Sequence, residues 1–340
     1  MKEIKIFSFL LVAAISLTGC VKEFIPQDLD SFNLESSYTQ NIFSPILGRN
    51  ALYTNLFLDK NSSSRPLTFK LANVRTFDDL PAPELSTPFP VYVWKEQYTG
   101  LETTLEEIEK KRNLEEHSFV EIRTHSGDML FWGSNDVLAR SVKAIPDSGY
   151  KFDIEVSNSG GSKVIKGFRL KPYMIREYEP NNADIITGYA PNDWLQPASI
   201  RNVIGDSTQT AVNDIRISVH KVSSQGSSLK ILFIDPQNKF INPSKFNLTD
   251  WEKIVHGFDV EKTSTYVKYN IAYPIPLVEK TTKYTTLDGK YAHLDFSYSR
   301  ITAGGFRLVS NILFDFAIYT KGDWEIIVSF PKEAPKFDND

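Results

Sequence analysis

The sequence predicts an all-β protein built from two sandwich-like domains, the first of which carries one inserted helix. Aromatic residues make up 13% of the chain, and aromatic side chains are enriched in strands. Short segments alternate apolar and polar residues with period two, and Gly, Pro, Asn and Ser separate them, which is typical of antiparallel strands. With 340 residues, the chain is long enough for two domains.

The first domain is expected over residues 51–178 as an immunoglobulin-like sandwich. Its strand candidates are NALYTNLFLD, LTFKLANV, VYVWKEQYTG, FVEIRTH and DMLFWGS, and YKFDIEVSNSGGSKVIKGFRLKPY predicts a hairpin around a Ser-Gly-Gly turn. The segment TTLEEIEKKRNLEEH predicts the inserted helix, because Leu105 and Ile108 share one face and Thr103 with Glu106 fits a capping box.

The second domain is expected over residues 201–340 as a larger antiparallel sandwich or jelly roll. A polar, proline-containing linker over residues 179–200 precedes it. Strands are predicted in DIRISVHKV, SLKILFID and TYVKYNIAYPIPL, a short helix in NLTDWEKIVHGF, and a closing hairpin from GFRLVSNILFDFAIYT and DWEIIVSFP. In the penultimate strand, apolar residues alternate with Arg307, Asn311 and Asp315, so one face is expected to be buried and the other wet.

The first twenty residues predict export and lipid attachment. Residues 1–19 read as a signal peptide, with two lysines ahead of an apolar run too short to span a bilayer. Cys20, the only cysteine in the chain, closes the stretch Leu17-Thr18-Gly19-Cys20, which resembles the lipobox of bacterial lipoproteins. That resemblance implies that Cys20 carries the lipid that anchors the protein. An ordinary signal peptide with a chance cysteine is the alternative.

Residues 20–50 are expected to form a lipidated, largely polar tether and a first strand. The tether is expected to bury little of its surface. Val21 differs from the aspartate of the inner-membrane retention signal, and Lys22-Glu23 partly resembles the export signal of Bacteroidetes surface lipoproteins. These features predict a lipid-anchored location in the outer membrane that faces the cell exterior. The periplasmic side of the same membrane is the alternative.

Several longer motifs resemble an uncharacterised family of Bacteroidetes lipoproteins, domain of unknown function 5007. The segments that carry the resemblance are VYVWKEQYTGLETTLEEIEKKRNLEEH, EIRTHSGDMLFW, FDIEVSNSGG, FIDPQNKFINPSKFNLTDWEKIVHGF and FAIYTKGDWEIIVSF. The resemblance implies an accessory protein encoded beside an outer-membrane glycan transporter. It also implies that an N-terminal immunoglobulin-like module stands on the membrane and that a distal β-domain meets the ligand.

Composition and motifs argue against several classes of function. The net charge of −4 argues against nucleic acid as a partner, and a single cysteine leaves no disulfide or thiolate metal site within the chain. Phosphate loops and nucleophile elbows are absent from the sequence, so we expect neither an enzyme nor a cofactor. A hydrolase with paired carboxylates remains a minor alternative.

Two groups of residues have side chains that can bind metals, but their patterns favour ordinary structure. His117 and His125 lie near Glu121, but their spacing matches no metal template, so a solvated polar surface is expected. Asp235, Gln237 and Asn238 offer oxygen ligands for calcium, but an Asp-Pro turn explains them equally well. The predicted metal content is therefore none.

Aromatic residues on a polar loop are the best candidates for ligand binding. Trp194 stands in GYAPNDWLQP together with Tyr189, Asn192 and Asp193. Trp194 is either an exposed platform for a sugar ring or a plug in the domain interface, since indole and phenol rings suit both uses. The expected function is a non-enzymatic glycan-binding lipoprotein; the alternative is a structural or adhesion lipoprotein that binds another surface protein.

Overall fold

The structure, a computed structural model, describes residues 30–133 and 141–338. In the first half the elements are β1 (Ser37–Tyr38), β2 (Ile42–Phe43), β3 (Ala51–Tyr53), β4 (Phe57–Leu58), β5 (Thr68–Thr76), β6 (Phe89–Trp94), α1 (Leu105–Lys110), β7 (Arg112–His117), β8 (Val120–Ile122), β9 (Met129–Phe131), β10 (Tyr150–Asn158) and β11 (Gly161–Leu170). One-turn 3-10 helices form at Pro83–Leu85 and Pro243–Lys245. The all-β prediction is confirmed.

The second half consists of strands without an α-helix among the described residues. They are β12 (Tyr178–Glu179), β13 (Ser199–Arg201), β14 (Arg216–Ser223), β15 (Ser228–Ile234), β16 (Gly257–Lys262), β17 (Tyr266–Ile271), β18 (Ala292–Ile301), β19 (Arg307–Ile318) and β20 (Asp323–Ser329).

Two sheets form the first sandwich and share one core. The four-stranded sheet has the order β2-β11-β10-β5 and the three-stranded sheet the order β3-β9-β8. Phe43 from the first sheet meets Phe131 from the second, with ring centroids 5.7 Å apart. The β10–β11 hairpin has the predicted turn, while β2 pairs with β11 in parallel.

Two further sheets form the second sandwich. One has the order β14-β20-β15-β17-β16; in the other, β19 pairs with β18 on one side and with β12 and β13 on its other side. Phe233 of β15 packs edge-on against Phe296 of β18 at 5.0 Å. Burial of an aromatic or aliphatic side chain contributes about 1.5–3 kcal/mol to stability. Contacts such as this one between buried side chains therefore hold the two sheets together.

The inserted helix is shorter than the sequence indicates. It ends at Lys110, and residues from Arg112 onward form β7, which pairs in register with β6. Thr104, one residue later than predicted, is the N-cap and accepts a hydrogen bond from the Glu107 amide. Cross-strand pairing outweighs the helical propensity of the Glu-rich sequence, because β7 also buries Arg112.

The predicted helix in residues 247–258 does not form. The chain follows a series of turns until β16 begins at Gly257. Of the four apolar residues that suggested the helix, Trp251, Ile254 and Val255 are nevertheless buried, whereas Leu248 is exposed. The Tyr269 hydroxyl donates to the Trp251 carbonyl at 2.6 Å, and such side-chain bonds stabilise the turns in place of helical ones.

Strands that are adjacent in sequence are separated in the second sandwich. The predicted closing hairpin is wrong, since β19 and β20 belong to different sheets. β20 lies between β14 and β15, antiparallel to the first and parallel to the second. The β14–β15 connection therefore passes over the start of β20, where a Cβ on Gly226 would lie 2.0 Å from the Asp323 carboxylate.

The described part of the expected tether belongs to the fold. From Asp30 onward the chain is bonded to the first sandwich, and Ser36, Phe43 and Leu47 are buried. The expectation that residues 20–50 bury little is therefore wrong for residues 30–50. The expectation rested on the many polar residues of this segment. The local sequence does not reveal that β2 completes a sheet by parallel pairing with β11.

A third buried cluster joins the two sandwiches. Tyr98 and Ile108 from the first half pack with Ala272 and Leu277 from the second. Arg112, almost fully buried, donates to the Tyr273 carbonyl at 2.7 Å and forms an ion pair with Glu109. Breaking a buried, paired charge is costly, so this contact fixes the two sandwiches against each other.

The signal peptide and Cys20 lie outside the described residues, so their predictions stay predictions. Among residues 30–133 and 141–338, no helix is long and apolar enough to cross a bilayer.

Replacing Phe43 tests whether residues 30–50 are part of the folded core. Phe43 is 0% exposed, and truncating a buried Phe costs about 3–5 kcal/mol. We expect Phe43→Ala to lower the free energy of unfolding by that amount in urea denaturation. The neighbouring Ile42, 49% exposed, is the control, and Ile42→Ala should change stability by less than about 0.5 kcal/mol. Equal effects of the two variants would contradict the packing of β2.

Candidate functional site

The outward face of the β13–β19–β18 sheet carries many polar side chains, with Leu313 and Val309 of β19 between them. Residues two apart on a strand point to the same side, and the paired register places opposite residues side by side. We call this surface the polar face; it comprises Ser199 and Arg201 on β13, Arg307, Asn311 and Asp315 on β19, and His293, Asp295, Ser297 and Ser299 on β18. The inward residues of the same strands are core.

A carboxylate and an amide form the centre of the polar face. The Asn311 amide donates to Asp295 Oδ1 at 2.9 Å and to Ser297 Oγ at 2.7 Å. The Ser297 hydroxyl also donates to Asp295 Oδ1, at 2.5 Å. These bonds hold the planar groups in one orientation, so Asp295 Oδ2 and the Asn311 carbonyl oxygen retain acceptor capacity for a ligand.

The end of the polar face nearest the first sandwich combines an imidazole with a carboxylate. His293 Nδ1 and Asp315 Oδ1 are 2.6 Å apart, and both side chains are partly exposed. Further toward the junction, the Tyr319 hydroxyl donates to Glu179 Oε2 at 3.3 Å, and the Arg49 guanidinium lies 3.6 Å from the Tyr319 ring centroid. Burial raises the pKa of Tyr319, so its hydroxyl stays protonated.

The opposite end of the polar face is basic with apolar neighbours. Arg307 donates to Ser299 Oγ at 3.0 Å, and Arg201 is exposed beside Asn311. Ile301 and Val309 are exposed on the same side of the hairpin. This end therefore offers guanidinium donors and a small apolar contact surface.

The loop that holds the four predicted glycan-binding residues lies at the β12 and β13 edge of the second sandwich. β12 pairs with β19 at Ala317 and β13 pairs with it at Leu313. Residues 180–198 connect these two strands and reach the other sheet, where Leu195 bridges Ile217 of β14. Tyr189 stands at the tip of this loop, 72% exposed, and Asp193 is also exposed.

The other two predicted residues are bound into the loop. The Asn182 amide donates to Asn192 Oδ1 at 2.7 Å and to the Trp194 carbonyl. Trp194 is half-buried, and the Arg216 guanidinium lies 4.6 Å from its ring centroid, on one face of the indole. Tyr189 is thus the more accessible of the two aromatic rings among the four candidates.

The histidines considered as metal ligands are used in internal contacts. His117 stacks on Trp132 at 4.2 Å, and its Nδ1 bonds to Glu121, whose second oxygen accepts from the Trp132 indole. His125 donates instead to the Leu67 carbonyl. Within the described residues, no three acidic, His or Cys side chains converge as a metal site would require.

The possible calcium ligands form a turn. Asp235 Oδ1 accepts from the amides of Gln237 and Lys239, and Asn238 has a left-handed backbone with φ of 58°. Asn tolerates this conformation, so the local geometry is explained by the turn without an ion.

A small pocket at the junction between the sandwiches is centred on His256. Tyr98, Tyr284 and Pro276 line it with other apolar residues. His256 Nε2 donates to the Glu102 carbonyl at 2.8 Å, so in the neutral ring Nδ1 accepts from the Tyr98 hydroxyl at 2.5 Å. Tyr284 stacks on the imidazole at 4.4 Å. These saturated contacts describe a structural histidine rather than a catalytic one.

Burial and hydrogen bonds set the protonation states of His256 and Glu102. Burial lowers the pKa of His256, while the Glu102 carbonyl and carboxylate partly oppose that effect. Burial would raise the pKa of Glu102, but hydrogen bonds from Lys111 and Thr99 outweigh it and lower that pKa to about 2. The junction therefore combines a neutral imidazole with an ionised carboxylate.

Sequence reasoning identified the wet side of β19 but missed its importance. Arg307, Asn311 and Asp315 were recognised as exposed positions, whereas His293, Asp295 and Arg201 were not selected. The signal was the same two-residue alternation in AHLDFSYSR. That β18 and β13 flank β19 cannot be read from the alternation, and only this pairing brings the residues together.

Comparison with protein families identifies a match over most of the chain. A family model described as domain of unknown function, DUF5007, matches residues 58–339. No curated protein matches the sequence. The matched region includes the polar face, the loop over residues 180–198 and the junction.

Acidification should weaken the fold through His256. Because its pKa in the folded state lies below the unfolded value of about 6.5, the unfolded state binds more protons as the pH falls through that value. The free energy of unfolding should therefore decrease below pH 6.5. His256→Gln loses the hydrogen bond to Tyr98 and so about 1 kcal/mol of stability. Its free energy of unfolding should, however, decrease less on acidification than that of the unmodified protein. Parallel stability curves from urea denaturation between pH 8 and pH 5 would contradict this role.

Proposed function

The chain belongs to the DUF5007 family, and we propose that it is a lipid-anchored, non-enzymatic protein that binds a glycan at the cell surface. The observation that carries the proposal is the polar face, where fixed amide, carboxylate, imidazole and guanidinium groups stand side by side on a rigid sheet. Cys20 is the proposed lipid acceptor, and the outer membrane facing the exterior is the proposed location.

Sugar hydroxyls require both donors and acceptors, and the polar face supplies both. Asp295, Asp315 and the Asn311 carbonyl oxygen accept hydrogen bonds, and Arg201 and Arg307 donate them. Hydrogen bonds to charged groups contribute about 1.5–3 kcal/mol each. Because neighbouring side chains already orient Asp295, Asn311, Asp315 and Arg307, these groups lose little conformational entropy when a ligand binds.

An aromatic ring beside the polar face would complete a sugar site. Flat apolar rings pack against the C–H face of a pyranose, and Tyr combines such a ring with a polar tip. Tyr189 is exposed on the loop over residues 180–198, which connects the two short strands that pair with β19. We propose that this loop contributes Tyr189 and Asp193 to the site, while Asn192 and Trp194 keep the loop in shape.

The position of the polar face suits a ligand outside the membrane. Asp30, the first described residue, lies at the end of the first sandwich where Asn158 donates to the Ser31 carbonyl beside the β10–β11 turn. β11 then runs away from that end for about 33 Å, at about 3.3 Å per residue, and the second sandwich follows. An anchor at Cys20 would thus leave the polar face on the more distant sandwich, accessible to a glycan and to a transporter partner.

The alternative function, binding of another surface protein, has a specific observation in its favour. Phe306, Ile301 and Val309 are exposed at the turn between β18 and β19, and exposed apolar groups of this kind occur in protein interfaces. The two functions differ in which residues matter, since glycan binding depends on Asn311 and protein binding on Phe306.

A matched pair of asparagines tests the proposal. Asn311 pairs with Asp295 on the polar face, and Asn270 pairs with Asp259 on the other sheet at the same 2.9 Å. After a glycan array identifies the tightest ligand, we expect Asn311→Ala to weaken binding at least tenfold, about 1.4 kcal/mol, in titration calorimetry. Asn270→Ala should bind normally.

Three results would count against glycan binding at this face. The first is a glycan array on which the protein binds no ligand. The second is an equal loss of glycan affinity in both asparagine variants. The third is binding of a protein partner that is lost when Phe306 is replaced. Melting temperatures of both variants provide the control for folding.

A further inference from the structure

The end of the first sandwich that holds Asp30 carries a compact surface of two leucines and two basic residues, with the exposed acid Glu35 next to Leu34. Leu34 and Leu58 are 68% and 50% exposed, and Lys60 and Arg65 are exposed beside them. We call these four residues the basal surface. Exposed leucines next to cationic side chains are typical of protein surfaces that contact lipid headgroups.

Hydrogen bonds bring the basal surface together from two separate segments. Asn33 donates to the Asp59 carbonyl at 2.8 Å, and the Ser31 amide donates to Ser64 Oγ at 3.0 Å. Ser37 pairs with Leu58 across β1 and β4. Leu34 and Leu58 are therefore held near each other by the fold.

The basic residues occupy a fixed loop in the same place. Lys60 and Asn61 both have left-handed backbones, and Asp59 Oδ1 accepts from the Asn61 amide at 2.8 Å. Arg65 contacts Asp59 Oδ2 at 3.3 Å and keeps about half of its side chain exposed. Lys60 thus supplies most of the positive charge, and Arg65 adds donors.

Chain length determines what can cover this surface. Between the proposed lipid on Cys20 and Asp30 the chain can extend at most about 35 Å, at about 3.3–3.6 Å per residue. If the anchor proposed above is correct, the basal surface is the part of the protein tied most closely to the bilayer. We propose that it docks on the headgroups of that membrane, with Leu34 and Leu58 at the interface and Lys60 and Arg65 on the phosphates.

Docking would set the orientation of the whole molecule. An anchored protein without a docking surface can tilt freely about its tether. Contact through Leu34 and Leu58 would instead fix the orientation, with β11 pointing away from the membrane. Covalent lipid keeps the protein on the membrane, and the basal surface adds weak binding that matters only once the anchor has raised its local concentration.

Site-specific fluorescence on vesicles tests the docking surface. The lipidated full chain is placed on phosphatidylcholine vesicles containing phosphatidylglycerol, with or without lipids that carry a quencher near the headgroup. Because the anchor consumes the thiol of Cys20, Leu34→Cys and Leu58→Cys each give one labelling site. Phe306→Cys, exposed at the turn between β18 and β19, is the matched control.

We expect at least twofold quenching of the labels at positions 34 and 58 and no quenching at position 306. Lys60→Glu should reduce quenching on anionic vesicles without releasing the protein. Unquenched labels at 34 and 58, or equal quenching at all three positions, would overturn the docking surface. A further contradicting result is label emission at position 34 that is not quenched but shifts to the blue as the protein concentration rises. That result would mean that a second copy of the chain covers this surface.

The Cys20→Ala variant separates this inference from the proposed function. The variant should lose both palmitate labelling and flotation with vesicles. If it still floats or is still labelled, the anchor and the docking argument fail together. If anchoring is normal but quenching is absent, only the docking surface is wrong; if quenching is observed and no glycan binds, only glycan binding is wrong.

Discussion

Strand β19 imposes the constraint on which the second sandwich and its proposed site both depend. Its two-residue alternation sends Ile312, Phe314, Phe316 and Ile318 into the core and Asn311 and Asp315 to the polar face. A shift of one residue in its pairing would exchange the two sets, burying carboxylates and exposing phenylalanines. The cost of that exchange fixes the register, so the hydrophobic core positions the polar groups that are proposed to bind a glycan.

The junction makes the two sandwiches one mechanical unit. Arg112 reaches across to the Tyr273 carbonyl while Glu109 balances its charge, and His256 bonds to both Tyr98 and Glu102. Each of these groups is buried or half-buried, so losing one partner leaves the other without a hydrogen bond. In the proposed function this rigidity carries the orientation set at the basal surface through to the polar face.

Local patterns in the sequence predicted what local chemistry decides, and missed what distant pairing decides. The hairpin about Gly160 and Gly161 and the strand alternation of β19 were predicted, because turn residues and burial leave a direct mark on the sequence. The helix over residues 103–117 was only partly right, since β6 recruits Arg112–His117 as a strand. Nothing local shows that β20 inserts between β14 and β15, that Phe43 joins β11 in parallel, or that Asp295 and Asn311 are neighbours.

Footprinting of side chains by hydroxyl radicals tests the central claim, that the polar face is the binding surface, most directly. With the tightest-binding glycan from the array present, oxidation of His293 and Tyr291 on β18 and its preceding turn should decrease. Leu287, 92% exposed, serves as the reference for radicals consumed by the sugar itself. Protection of His293 relative to Leu287 is the result that the account predicts. Unchanged oxidation of His293 and Tyr291, with protection elsewhere on the molecule, would contradict it.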